Sequence, residues 1–421
     1  MNELRPRRKG GPSSIARHGR LRPGSAWSTV GKIIASVAAV AVISAVSLGA
    51  YATFDLVKTS HKSVHLIGEP AQQIPDIAAL KGGVNILITA TDTRSGQGSA
   101  YGPLDDSSGA GNNDVTMLMH LSQDHTHATV VAFPRDLMVP IPSCPTLGGG
   151  STYAQTKAQI NTTYSLGGLP CTVLTIQQLT GVKSIPFAGV ITFSGVVAMS
   201  NAIGGVPVCI GGKGIHDPDT SLNLDPGMRM LQGKTATEFL RTRHGVGDGS
   251  DLGRISNQMV FLSSLVRTIK SAGTLTNPVK VWGLAKAATS NMRLSDQLDN
   301  VTTLYQIAMA LKNLSLDNVA FLQYPVATDP DDPNRVVPDE ASATVLFDAI
   351  KKDQPIAITG GTGGGDQGSI VKTPTPTSTP TPTGSKTSTP NATGTPGGPV
   401  QLPNSIHGQT AATETCSNGA G

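Results

Sequence analysis

The chain has 421 residues, enough for one large domain with appendages or for two of average size. Its formal charge is +4 at pH 7, yet residues 1–32 hold eight Lys/Arg against the single acid Glu3, a surplus of 7, so everything downstream carries 4 − 7 = −3. The basic balance belongs to a leader, which removes the main support for a nucleic-acid-binding reading of the whole chain.

The leader contains Arg5, Arg7, Arg8, Lys9, Arg17, Arg20, Arg22 and Lys32 and is followed by Ile33–Phe54, a run of 22 residues without a charge. About 20 apolar residues cross the hydrocarbon of a bilayer as a helix, so residues 33–54 read as a transmembrane segment. A cleaved signal peptide is the alternative, but the run is longer than a signal core and lies behind a long basic leader. Basic flanks stay on the cytoplasmic side, which places residues 1–32 inside and everything after Phe54 outside.

Residues 55–82 show little periodicity and read as a linker. At Val84–Thr91 the β-branched run VNILITAT predicts a buried strand. Further strands are expected at Val115–Leu121 and Ala128–Phe133, joined by a turn at Gln123–Thr126, and later at Val206–Ile210 and Asn318–Tyr324. Helical spacing appears in Cys171–Thr180, Phe193–Ile203, Gly233–Leu240, Leu252–Lys270, Pro278–Thr289, Ser295–Leu314 and Glu340–Lys351. Strands alternating with helices predict a layered α/β domain over 83–352. From 353 to 421 the composition turns to Gly, Thr, Pro and Ser, centred on KTPTPTSTPTPTGSKTSTP, and predicts a disordered tail.

Four cysteines, Cys144, Cys171, Cys209 and Cys416, are too few and too scattered for a zinc site or a disulfide scaffold. An exported location permits bridges. Of the three connectivities, Cys144–Cys171 is favoured because the two flank one loop-rich stretch; four free thiols are the alternative.

Charged residues mark the ends of several predicted elements. NILITATDTR delivers Asp92 and Arg94 beyond a strand, two apart and so on one side of an extended chain. Ligand sites of α/β folds lie at strand ends, although the same pair also suits a solvated turn. GNNDVTMLMH places Asp114 before the next strand, and VVAFPRDLMVPIP places Arg135 and Asp136 after another. Two carboxylates meeting there could hold Mg²⁺, or they could cap the chain and pair with arginines. In FLRTRHGVGDGSDLGRISNQ, Arg241 and Arg243 would diverge by about 200° on a regular helix but share a side of an extended chain. Arg254 and Gln258, four apart, share a helix face near its N-terminus, a setting suited to phosphate. Plain surface charge is the alternative for each.

In order, NILITATDTR, DVTMLMHLSQDHTHATVVAFPRDLMVPIP, INTTYSLGG and LDPGMRMLQGKTATEFLRTRHGVGDGSDLGRISNQ resemble the LytR-CpsA-Psr family over roughly residues 83–270. The resemblance implies a layered α-β-α domain with a lipid-accepting cavity and a polar mouth for a polyprenyl pyrophosphate. It implies that Asp92 and Asp114 are the Mg²⁺-linked acids, and that Arg135, Arg241, Arg243, Arg254 and Gln258 bind pyrophosphate, with Arg94 and Asp251 as additions. Two departures stand out. An Arg common in the family two residues before the second acid is Asn112 here, and a family cysteine is Met228, which takes away one partner for Cys209. Cys416 could replace it only if the tail folds back.

The expected activity is transfer of a glycopolymer phosphate from its polyprenyl carrier to peptidoglycan at the bacterial cell membrane, with Mg²⁺ as cofactor and no nucleic-acid partner. Phosphoryl transfer needs positioning and charge neutralisation, which arginines and a metal supply. Arg135 would act in the reaction, and either Asp136 or Asp92 could serve as base. A non-catalytic lipid- or glycan-binding or regulatory protein and a polyprenyl pyrophosphate hydrolase are the alternatives.

Overall fold

The computed structural model describes residues 26–59, 63–70, 72–91, 93, 111–146, 148–271, 273–274, 277–363, 369–371 and 398–420. Two units separate, 1–54 and 55–421. Helix α1 (Ala26–Thr59) contains the uncharged run 33–54. Several of its side chains lie outside the description, and among the described residues no helix is long and apolar enough to cross a membrane.

In chain order the second unit then forms β1 (Val84–Thr91), β2 (Asn113–Leu121), β3 (Ala128–Phe133), β4 (Met138–Ile141), β5 (Gln155–Gln159), α2 (Thr163–Thr180), β6 (Phe187–Ile191) and α3 (Phe193–Ile203). Next come β7 (Val206–Gly211), β8 (Ile215–Asp217), β9 (Leu222–Leu224), β10 (Gly227–Leu231), α4 (Gly233–Arg241), α5 (Asp251–Ser271), α6 (Pro278–Asn291), β11 (Met292–Leu294), α7 (Val301–Asn313) and β12 (Val319–Gln323). The chain closes with β13 (Val326–Thr328), β14 (Val336–Pro338), α8 (Glu340–Lys351), β15 (Ile356–Ala357), β16 (Ser369–Val371), β17 (Val400–Gln401), β18 (Gly408–Thr410) and β19 (Thr415–Asn418).

Seven strands form a mixed central sheet in the order β11-β6-β1-β2-β3-β12-β18. Its three middle strands alternate with period two, so each face collects its own core. Leu87, Leu118, Val131 and Phe133 pack with α2 and α8, whereas Ile86, Leu121, Ala128 and Ala132 pack with Ile255 and Met259 of α5 and Ile307 and Ala310 of α7. Each fully buried Leu or Ile contributes roughly 1.5–3 kcal/mol, which makes these faces the main stabilising layers. The layered α-β-α expectation holds. A smaller sheet, β10-β7-β19-β16, has its own cluster, in which Val208 and Phe239 are fully buried.

Three expectations are corrected. The stretch read as a linker, 55–82, is packed from Val64 onward: Leu66 and Ile77 are buried, and Val64 bridges Ser295. The helix expected at Ser295–Leu314 begins only at Val301, where Asn300 caps it; Met292–Leu294 instead adds an edge strand beside β6. The tail expected to be disordered over 353–421 returns to the body at its far end. There β18 pairs with β12, β19 pairs with β7, and Leu402, Ile406 and Ala411 are buried. Residues 372–397, with the Pro/Thr-rich centre, lie outside the described residues.

Both disulfides follow from this packing. Cys144, between β4 and β5, meets Cys171 of α2 as expected. A Cβ on Gly167 would lie 2.9 Å from that of Cys171 and 3.0 Å from that of Cys144, so a glycine there admits the bridge. Cys209 of β7 has Met228 opposite on β10 and Cys416 opposite on β19, and it bonds the latter. The Cys144–Cys171 bridge, with a sequence separation of 27, should contribute on the order of 3–4 kcal/mol on the chain-entropy model. Non-reducing peptide mapping should recover the linked pair; two free thiols under oxidising conditions would count against it.

Candidate active site

Three chain reversals bring the charged motifs together at one end of the central sheet. In the β1–β2 ladder Ala90 faces Val115 and Thr91 faces Asn113, which leaves Asp114 as the extra residue of a bulge. Bulges re-aim side chains beside functional sites, and Asp114 lines a cavity here. After β3, the Arg135 N–H donates to Asp251 Oδ2 (2.9 Å) at the start of α5, and Arg135 Nη1 donates to Asp114 Oδ1 (3.0 Å). One turn along α5, Arg254 pairs with Asp251 (2.5 Å) and donates Nη2 to the Asp114 carbonyl (2.7 Å). Asp114, Arg135, Asp251 and Arg254 thus form one network at a helix N-terminus.

The second arginine pair arrives from α4. Arg241 is its last residue, Thr242 takes an extended conformation (φ −56°, ψ 135°), and Arg243 follows. Leaving the helix between them puts both arginines on the same cavity. The Arg241 guanidinium lies 4.5 Å from the Phe193 ring centre, a cation–π contact, while Arg243 Nε donates to the Gly249 carbonyl at 3.1 Å. Asn257 and Gln258 of α5 donate to the carbonyls of Phe239 and Leu240 (2.7 and 3.0 Å), satisfying the end of α4 and fixing where Arg241 sits.

The cavity between this rim and the α5 face of the sheet has a volume of about 530 Å³. Much of its wall is apolar, with Ile88, Met117, Val196, Met199, Phe261 and Leu265, while Asp114, Arg135, Arg241, Arg243, Arg254 and Gln258 are among its polar lining. Arg254 is only 5% exposed. The Nε–H groups of Arg135 and Arg254 are buried and have no acceptor among the described residues. Burial by itself would lower the Arg135 pKa, but Asp114, Asp251 and Asp136 outweigh it and raise the pKa, so the guanidinium stays charged.

Six of the expected residues, Asp114, Arg135, Arg241, Arg243, Arg254 and Gln258, meet at this cavity. Asp92 and Arg94 lie outside the described residues. Asp136 is not part of the lining: its Oδ1 accepts from Gln159 Nε2 (3.0 Å) and Arg335 Nη1 (3.2 Å), which is the ion-pairing alternative rather than a poised base. Asn112 precedes β2 and does not line the cavity either. As for Mg²⁺, the described donor set offers the carboxylate of Asp114, an oxygen ligand of the right hardness, and one or two carboxylates suffice when phosphate and water complete the shell.

Asp217 and Asp219 also line the cavity, and sequence reasoning missed them because HDPD carries no element-boundary pattern. Asp217 Oδ2 accepts from Thr242 Oγ1 (2.5 Å) and from the Arg243 N–H (3.1 Å), so it shapes the turn that presents Arg243. Burial pushes its pKa up, but these hydrogen bonds and those from the backbone of Asp219 and Gly245 lower it overall. A depressed folded-state pKa means a contribution that is present above the unfolded value and lost as pH falls through the folded one. Asp217→Asn should therefore cost about 1–3 kcal/mol at neutral pH. The difference in Tm from the parent should narrow below the ordinary carboxylate range; a gap constant from neutral to acid pH would contradict this role.

Comparison with known proteins agrees with this architecture. The LytR_cpsA_psr family model matches residues 50–352, most of the chain. The cell wall biosynthesis protein LcpA of Corynebacterium glutamicum is 28% identical over 277 residues, 61% of this chain and 52% of its own, so the chain spans about half of that relative. The polyisoprenyl-teichoic acid–peptidoglycan teichoic acid transferase TagT of Bacillus subtilis is 24% identical over 58% of this chain and 71% of its own. The crystal structure of gbs0355 from Streptococcus agalactiae shares the fold, with a TM-score of 0.52 and 21% identity over 64% of this chain and 87% of its own. The match of the family model over residues 50–352, which contain the cavity and its arginines, shows that the chain belongs to the LytR-CpsA-Psr family.

Proposed function

We propose that this chain transfers a glycopolymer phosphate from a polyprenyl pyrophosphate carrier to a peptidoglycan hydroxyl. The observation that carries the reading is one cavity that joins an apolar wall to four arginines, two of which keep buried N–H groups without an acceptor among the described residues. A lipid chain suits the first part, and charged phosphate oxygens suit the second, where planar guanidinium donors bind them best. The names of LcpA and TagT point to the same process.

In this reading the acceptor hydroxyl attacks the sugar-linked phosphorus, the bond to the bridging oxygen breaks, and lipid monophosphate leaves. Arg135, Arg241, Arg243 and Arg254 hold the phosphates and take up the charge that moves to the leaving group, while Gln258 positions Arg241. Asp114 and Asp92 would hold Mg²⁺, whose chemistry is neutralisation of phosphate charge. Asp136 is engaged by Arg335, which leaves Asp92 as the candidate to take the hydroxyl proton. The uncharged run 33–54 behind its basic leader supports a single membrane span with the catalytic domain outside.

Incubating the full chain with a polyprenyl-pyrophosphate-linked glycan and peptidoglycan fragments tests the proposal. Glycan phosphate on the peptidoglycan with release of lipid monophosphate is the expected result. Free glycan phosphate alone would make the protein a hydrolase, and retention of intact donor would make it a binding protein; either overturns the transferase reading.

A further inference from the structure

The other end of β2 carries a second group of polar side chains, which the proposed reaction does not use. His120 lies six residues from Asp114 along the strand, roughly 20 Å at the usual rise. It is 1% exposed, and His127, across the β2–β3 turn, is 7% exposed. Asp353, two residues after α8, has φ of 54°, a left-handed conformation uncommon in non-glycine residues. One potential ligand atom from each of His120, His127 and Asp353 lies within 4.8 Å of the other two.

The hydrogen bonds decide which ring nitrogens carry protons. Asn85 Nδ2 donates to the Ser184 carbonyl (3.0 Å), so its amide oxygen is the atom 2.9 Å from His120 Nδ1. His120 Nδ1 therefore donates. That leaves Nε2 facing Asp353 Oδ1 at 2.9 Å. A nitrogen lone pair and a carboxylate oxygen at that separation repel unless a cation, either a proton or a metal ion, lies between them. At His127, Thr126 Oγ1 donates to Asp124 Oδ1 (2.8 Å) and so accepts from His127 Nδ1 (3.2 Å). His127 Nε2 is then a lone pair, and it is buried with no partner among the described residues.

Both histidines thus have the tautomer that a metal ligand needs, with the outer nitrogen anchored by an oxygen. The surroundings hold the third ligand as well. Asp353 Oδ2 accepts from the Gln123 N–H at 3.1 Å. Behind the pair stands Gly83 (φ +81°), where a Cβ would come within 2.7 Å of His120 Cε1 and 3.0 Å of Asp353 Oδ1. Ligands about 2.0–2.1 Å from a tetrahedral ion lie about 3.3 Å apart, so an ion would part His120 Nε2 and Asp353 Oδ1, now at 2.9 Å, by a few tenths of an ångström.

We propose that His120, His127 and Asp353 bind a divalent transition-metal ion of the zinc class, separate from the cavity. Two imidazoles and one carboxylate favour Zn²⁺ over Mg²⁺, which prefers an all-oxygen shell. The ion fastens the end of α8 to the β2–β3 hairpin and keeps one position for water.

The test is titration of the chelator-treated full chain with Zn²⁺ alone, followed by calorimetry, with Co²⁺ absorbance as a second probe. One equivalent should bind at micromolar affinity or tighter and raise the Tm. His127→Gln, which removes an Nε2 with no partner among the described residues at the cost of the Nδ1–Thr126 hydrogen bond, should weaken binding at least about 100-fold and abolish the Tm rise. His65→Gln, at an exposed position grouped with the part-buried Glu69 and Asp296, should leave the site intact. Absence of Zn²⁺ binding to the folded parent, with His120 titrating as an ordinary imidazolium paired to Asp353, overturns the proposal. So does binding that His127→Gln leaves unchanged. Should that variant fail to fold, the parent decides alone: no Co²⁺ band of nitrogen–oxygen ligation means no site.

Discussion

Arg135→Ala should lower glycopolymer transfer by about 10²–10³-fold while leaving the protein folded. The guanidinium donates to Asp114 and lines the cavity, and its Nε–H has no acceptor among the described residues, so its charge stands where a phosphate would sit. Truncation keeps the backbone N–H that bonds Asp251, and the side chain of Asp114 is 29% exposed and can hydrate once its partner is gone. Arg254→Ala is a poorer probe. Its side chain and that of Asp251 are each 7% exposed, and removing one partner of a buried pair costs about 3–5 kcal/mol in stability. Arg135→Lys keeps the charge but not the planar fork and should recover only part of the rate. Asp114→Asn should behave differently, with part of its lost rate returning as Mg²⁺ is raised. Transfer at the parental rate by well-folded Arg135→Ala would refute the assigned rim.

Cys416→Ser should lower the Tm by on the order of 10 °C, and removal of residues 398–421 by more. The Cys209–Cys416 bridge has a sequence separation of 207, and closing so long a loop contributes on the order of 5 kcal/mol on the chain-entropy model. Truncation would in addition strip β18 from the edge of the central sheet and take the buried side chains of Leu402 and Ile406 out of the core they share with Leu322 and Leu346. The effect should extend to the site. The Gly247 N–H donates to the Asn418 carbonyl and the Ala420 N–H to the Gly245 carbonyl, each at 3.0 Å, so the returning tail pairs with the turn that follows Arg243. Ser417 Oγ also donates to Asn257, whose neighbour Gln258 holds the end of α4. Transfer should therefore fall in both variants even below their melting temperatures. Thermal melts with and without reductant, beside transfer assays at low temperature, check this; an unchanged Tm on losing the bridge would show that the tail is only an appendage.

Local pattern determined much of this protein. The apolar, β-branched run VNILITAT marks a buried strand, and the spacing of Arg254 and Gln258 dictates a shared helix face, because both are properties of a few neighbouring residues. The ordered motifs identified the family. Other features depend on long-range contacts that no local window contains. The pairing of Cys209 with Cys416 requires β19 to lie beside β7, and the place of Arg243 beside Arg241 depends on Thr242 leaving the helix toward Asp217. The burial of Leu66 and of the final strands was hidden because these segments are short and borrow their partners from distant elements. The His120–His127–Asp353 cluster joins residues more than 200 positions apart, and tertiary structure alone sets its tautomers, because the oxygens that anchor the two rings come from folded neighbours.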